Sequence, residues 1–265
     1  MAKHGFRMDK RKKSTRSKII NILLLLVVLV GIYFVGNHFY QHYKVEQEVQ
    51  ATKTLTTKTV KKMPTEGNIS INWKKLHKVN PRIKAWVYVP GTKINYAILQ
   101  SKDNKFYLHH DEHNKSSISG QIFMDYRNHA NFSSKNTFIY GHNMYDKTRF
   151  SDLSKYFSSS FLNAHKHVYI YTPTKKFVGT VFAVQSNSGP SKAHTLNFKN
   201  NKQFTDYVSY LKSRSSVKTN VKTSSVKKIA TLWTCTERST TGDAGETVSA
   251  DKARTFVSLS LREVK

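Results

Sequence analysis

The sequence predicts a mainly β domain, a closed barrel or a sandwich, behind one N-terminal apolar helix. Two observations predict this. Eight short runs rich in β-branched and aromatic residues crowd residues 85–261. Near the N-terminus, Ile19 to Tyr43 carries no charge when histidine is counted as neutral. The chain has 265 residues, enough for one medium-sized domain with extra segments and a substantial core.

The elements follow in chain order. Residues 1–18 hold eight basic side chains against Asp9, a net of +7 out of the chain's +28, so +21 remains beyond them. Ile19 to Gly36 is apolar on nearly every face and spans about 27 Å as a helix, close to the thickness of a bilayer core. A cleaved signal peptide is the competing reading, but no small-x-small site follows Gly36. The basic flank points to a cytoplasmic N-terminus and an exported remainder. Four segments are therefore expected: a cytoplasmic basic tail, 1–18; a membrane-spanning signal anchor, 19–36; a threonine- and lysine-rich stalk, 37–68, helical near Tyr40 to Val49 and loose afterward; and an extracytoplasmic domain, 69–265.

Within that domain, Ile69 to Val79 reads as a short helix stopped by Pro81. The strand-like runs are Ala85–Val89, Ile94–Leu99, Gln121–Asp125, Thr137–Tyr140, Val168–Tyr171, Phe177–Val184, Ile229–Trp233 and Thr255–Leu261. Pro90-Gly91-Thr92 joins the first two as a tight turn. Thr148–Phe157 and Gln203–Leu211 carry apolar residues at helical spacing, and these stripes read as core.

Export constrains the chemistry. One cysteine permits no internal disulfide, so the domain is held by its core. An unpaired exported thiol risks oxidation, which favours a use for it. The positive charge suits an anionic wall polymer or the membrane surface, or else a solvated lysine-rich surface. Nucleic acid does not fit an exported domain.

Three residues stand at strand termini: Cys235 in Thr231-Leu232-Trp233-Thr234-Cys235-Thr236, His142 in Tyr140-Gly141-His142-Asn143-Met144, and Arg254 at the start of the last run. A thiol, an imidazole and a fixed cation divide the labour of acyl transfer into nucleophile, proton carrier and oxyanion partner. The bland alternative is a buried, inert thiol. His109-His110-Asp111-Glu112-His113 lacks zinc-site spacing and reads as a solvated loop, and no Gly-x-Ser-x-Gly elbow occurs. Arg238 lies nearer to Cys235 in sequence and competes with Arg254.

Thr-Leu-Trp-Thr-Cys resembles the Thr-Leu-x-Thr-Cys motif of sortases, and the wider match is to class B sortases. Ala85 to Tyr96, the block Gly120-Gln121-Ile122-Phe123-Met124-Asp125-Tyr126-Arg127-Asn128, and Phe138 to Met144 carry the resemblance, which spans residues 70–262. It implies a closed eight-stranded sortase-type barrel with added helices and a membrane-anchored cysteine transpeptidase. Cys235 is then the nucleophile, His142 the catalytic histidine and Arg254 the catalytic arginine. Asn95, Leu99, Trp233 and Thr234 fall at substrate-binding positions. No metal or organic cofactor is implied. The implied partners are secreted proteins with a C-terminal sorting signal, cleaved after threonine, and an amine of the cell-wall peptide precursor. A pilin polymerase using a lysine amine is a variant. A hydrolytic cysteine peptidase and a non-catalytic wall-binding protein are the readings from other classes. Two departures from the family pattern bear on specificity: Trp233 where serine is usual, and a long segment, 236–252, between cysteine and arginine.

Overall fold

The computed structural model describes residues 15–54 and 69–264. The chain divides between Lys44 and Val45 into two units. The first is dominated by helix α1 (Thr15–Thr54), whose apolar stretch Lys18–Lys44 is long and apolar enough to cross a membrane. The expected tail is described only from residue 15 on. The expected stalk is helical to Thr54, and its remainder, 55–68, lies outside the described residues.

The second unit is a closed barrel. Its strands are β1 (Ile83–Tyr88), β2 (Asn95–Leu99), β3 (Ile122–Met124), β4 (Asn136–Tyr140), β5 (His167–Tyr171), β6 (Lys176–Ser188), β7 (Ile229–Cys235) and β10 (Ala253–Val264). The order around the barrel is β1-β2-β3-β4-β7-β10-β6-β5. The pairs β2/β3 and β4/β7 are parallel, and the rest are antiparallel. A two-stranded hairpin, β8 (Thr240–Thr241) with β9 (Thr247–Val248), interrupts the segment between β7 and β10.

All eight sequence runs are barrel strands. Two extend further than their apolar pattern: β6 and β10 pair from Lys176↔Val264 to Ser188↔Ala253, with one register shift between Ser258 and Leu259. Their ends, such as Gln185-Ser186-Asn187-Ser188, are polar, so side-chain periodicity fades while backbone pairing continues.

Alternation along each strand divides the apolar residues between two faces. Ala85, Val87, Ile98, Ile122, Ile139, Val168, Val184, Leu232, Val257 and Leu259 fill the interior. The segment Ser151–Phe157 adds buried Leu153 and Tyr156 to that cluster. It is a 3-10 helix, where the sequence suggested an α-helix. The outer face carries Trp86, Leu99, Phe123, Phe138, Tyr140 and Phe256. It packs against helix α2 (Trp73–Val79) through Leu76, and against α4 (Asn201–Ser213) through Phe204, Tyr207, Val208 and Leu211. Asn72 caps α2 by accepting from Lys75 N, which is why the helix begins later than Ile69. A further short helix, α3 (Ser159–Ala164), had no periodic signal of its own.

Candidate active site

Strand register brings the site together. Cys235 ends β7 and is paired directly with Arg254 near the start of β10. On the other side of β7, the parallel strand β4 pairs Tyr140 with Trp233, and Gly141 N donates to Trp233 O at 3.1 Å. Two residues past that last pair come His142, just beyond the end of β4, and Cys235, the last residue of β7. The period of two then sorts the faces. Phe138, Tyr140 and Trp233 belong to the outer-face cluster, so His142 and Cys235 share that face, and Arg254 shares it with Phe256. Thiol and guanidinium therefore stand on one face of the adjacent strands β7 and β10, with the imidazole just past the end of β4.

Gly141 allows the close passage between them. A Cβ there would strike the Ile122 side chain and approach Phe150 Cδ2 to 2.8 Å. Past it, Phe150 N donates to His142 O at 2.9 Å and fixes the histidine backbone.

The His142 ring is oriented by the main chain. Its Nε2 lies 2.8 Å from Leu108 O. A carbonyl only accepts, so Nε2 carries the proton and Nδ1 keeps its lone pair. Burial pushes His142 below its ordinary value of 6.5; the Leu108 bond raises it, and the charges of His109 and Arg149 lower it again. The lowered value favours the neutral imidazole, the form with a free lone pair at Nδ1.

Arg254 bends back onto its own turn. Nη1 donates to Asp251 O at 2.7 Å and to Ala253 O at 2.8 Å. The guanidinium carbon lies 5.3 Å from the centroid of the Trp233 ring. Arg238, the competitor in the sequence, sits in the exposed segment after Cys235 and lines a cavity of about 350 Å³ with Asn143, Lys155, Thr236 and Glu237.

The remaining residues expected at the site are placed differently. Trp233 stands two residues before the thiol on the same face. Thr234 alternates to the interior face and is 1% exposed. Asn95 accepts from the Trp86 indole at 2.7 Å and is buried, and Leu99 is fully buried in the outer-face cluster. Both belong to β2, which two strands separate from β7.

Several neighbours lie in blocks that the sequence singled out without giving them a role. The Tyr140 hydroxyl donates to Asp125 Oδ2 at 2.6 Å and meets His194 Nε2 at 2.7 Å. Burial would raise the Asp125 carboxyl, but Arg127, Tyr140 and Asn104 outweigh it and hold it at about 2. His109, from the histidine-rich loop, lies 6.5 Å from the His142 ring. Among the described residues, no group of three His, Cys, Asp or Glu side chains converges as a metal site.

Comparison with known proteins agrees with this architecture. The Sortase domain family model matches residues 87–250. Sortase B of Listeria monocytogenes is 34% identical over 223 residues, covering 84% of this chain and 91% of that protein. The Staphylococcus aureus sortase B–substrate complex superposes with a TM-score of 0.65 at 27% identity, covering 84% of this chain and 95% of the other. A sortase B complexed with triglycine superposes with a TM-score of 0.66 at 25% identity, covering 86% and 99%. With the closed barrel and the Cys–His–Arg face, these likenesses identify the chain as a member of the sortase family, in its class B branch, and hence as a cysteine transpeptidase.

Proposed function

We propose that this chain is a membrane-anchored transpeptidase that cleaves a C-terminal sorting signal after threonine and joins the protein to an amine of the cell-wall peptide precursor. The observation that carries the assignment of roles is the register pair Cys235↔Arg254 with His142 on the same face. As Sγ of Cys235 attacks the threonine carbonyl, its proton passes to Nδ1 of His142. Arg254 faces the oxyanion that forms. Collapse breaks the C–N bond, the imidazolium gives its proton to the leaving amine, and a thioester remains. The incoming amine then attacks the thioester. Its proton returns through His142 to the released thiolate, and a new amide forms. The relatives solved with a substrate and with triglycine support both half-reactions.

The proposed layout places residues 1–18 in the cytoplasm, 19–36 in the membrane, 37–68 as a stalk and 69–265 outside. The basic tail before an uncharged stretch supports that orientation.

The direct test uses the full-length chain in detergent with Asn-Pro-x-Thr-x peptides and triglycine, read by mass spectrometry. A triglycine-extended product and a Cys235 acyl adduct are expected, and both vanish in Cys235→Ala. Free acid as the sole product would replace transpeptidation by hydrolysis.

The lowered His142 pKa sets a second expectation. Neutral imidazole is the proton-accepting form, so acylation rises with pH through a limb below 6.5. His109→Ala removes a charge that depresses His142. The His142 pKa therefore rises, and the limb moves to higher pH. A single-turnover pH profile measures this, and a limb that stays in place or moves down refutes it.

A further inference from the structure

Arg254 is restrained without being neutralised. Nη1 is held by two backbone carbonyls, while Nε is buried and has no hydrogen-bond partner. Among the described residues no carboxylate pairs with it. What lies against the guanidinium is the Trp233 indole, in the diagonal position across the β7/β10 ladder. The backbone closes over both side chains: a Cβ on Gly189 would lie 3.8 Å from Arg254 Cγ and 3.8 Å from Trp233 Cζ2.

The indole is itself fixed. It meets Tyr140 edge-on at 5.1 Å and 88°, and Phe256 at 6.4 Å and 88°. Tyr140 is pinned in turn by its hydrogen bonds to Asp125 and His194. A rigid stack therefore runs from the buried carboxylate of Asp125, through two aromatic rings, to the arginine opposite the thiol.

The physical distinction is between two ways of holding a cation. A carboxylate restrains it and cancels its field. A π face attracts it through the ring quadrupole and leaves the net charge in place. A group that must meet a developing oxyanion needs the second kind of support.

We propose that Trp233 is a positioning residue for Arg254, its indole face holding the guanidinium beside Cys235 with the positive charge intact. This rests on the proposed role of Arg254 in acyl transfer.

The test is a fluorotryptophan series placed at position 233 of the full-length chain by nonsense suppression, with zero to four fluorines. Fluorine drains the ring face at nearly constant shape. The acylation rate constant for the sorting-signal peptide is expected to fall stepwise, by roughly 2- to 30-fold across the series. KM should stay within about twofold, as expected for an interaction expressed in the transition state. The melting temperature should hold. Trp233→Phe should retain more activity than Trp233→Leu. The series also separates this role from hydrogen bonding by Nε1, which is buried without a partner. Fluorination makes that N–H a stronger donor, so a rate that climbs, or stays flat, overturns the proposal. Failure of the underlying reading looks different: the unsubstituted chain would form no Cys235 adduct, or Arg254→Ala would acylate at the normal rate.

Discussion

Arg254→Ala is expected to lower kcat/KM for transpeptidation by about 10³-fold, while Arg238→Ala stays within about threefold of the parent chain. The size follows from the proposed role of Arg254: deleting one preorganised donor to an oxyanion costs about 10²–10³, and here a full charge goes with it. The direction follows from register. Arg254 is the residue paired with Cys235, on the same face and half-buried. Arg238 sits in the exposed turn that leads into the β8/β9 hairpin. The hairpin that follows is anchored on the far side of β10, at the end of β6. Asp243 accepts from Asn187 Nδ2 at 2.8 Å, from the Tyr210 hydroxyl at 2.5 Å and from Lys192 N at 2.9 Å. Arg214 donates to Thr241 O at 2.8 Å. These bonds tie the long insertion to the β6 edge and leave Arg254 at the strand start. Steady-state kinetics with a signal peptide and triglycine measure the difference, with melting temperatures as the control for folding. An Arg238→Ala loss matching that of Arg254→Ala would move the oxyanion partner into the loop.

The strands were legible because each buries one or both faces and is written in β-branched and aromatic residues. Their neighbours were not. Nothing in Thr137–Tyr140 or Ile229–Trp233 announces that these runs lie side by side and parallel across about ninety intervening residues. The shared face of Cys235, His142 and Arg254 is therefore invisible until register is known, although the period of two then dictates it. Backbone groups are hidden altogether: Leu108 reads as an ordinary apolar residue, yet its carbonyl fixes the His142 tautomer. The histidine-rich loop illustrates the limit of spacing rules. Its pattern argues against zinc, and says nothing of His109 coming beside His142. The block Gly120 to Asn128 matched the family strongly, and the structure supplies reasons. Asp125 anchors Tyr140, and Asn128 extends the ladder by accepting from Phe138 N and donating to Asn136 O, both at 2.8 Å.

Gly120 gives the remaining reason, and substituting it should damage stability and turnover together. It sits at φ +49° in the connection before β3, a conformation that an L side chain adopts at a cost. A Cβ there would overlap the carbonyl oxygens of Tyr107 and Leu108 and come within 2.8 Å of the Leu108 carbonyl carbon. Those atoms are backbone and cannot swing aside. Backbone strain and overlap together suggest a loss of about 2–4 kcal/mol in Gly120→Ala. That corresponds to a fall in melting temperature of roughly 4–16 °C for a domain of this size. The catalytic effect follows from which carbonyl moves. Leu108 O holds His142 Nε2, so its displacement rotates the imidazole away from Cys235, and misplacement of about 1 Å can cost on the order of 10²-fold. The pH profile adds a signature. The Leu108 bond raises the His142 pKa, so weakening it shifts the acid limb to lower pH, opposite to His109→Ala. Gly245→Ala is the matched control. It also has positive φ, +86°, in the β8/β9 turn, but nothing lies within 4 Å of the added carbon. It should lose about 1 kcal/mol of stability and keep its kinetics. If Gly120→Ala melts and turns over like the parent chain, the main-chain support of His142 is not what orients the ring.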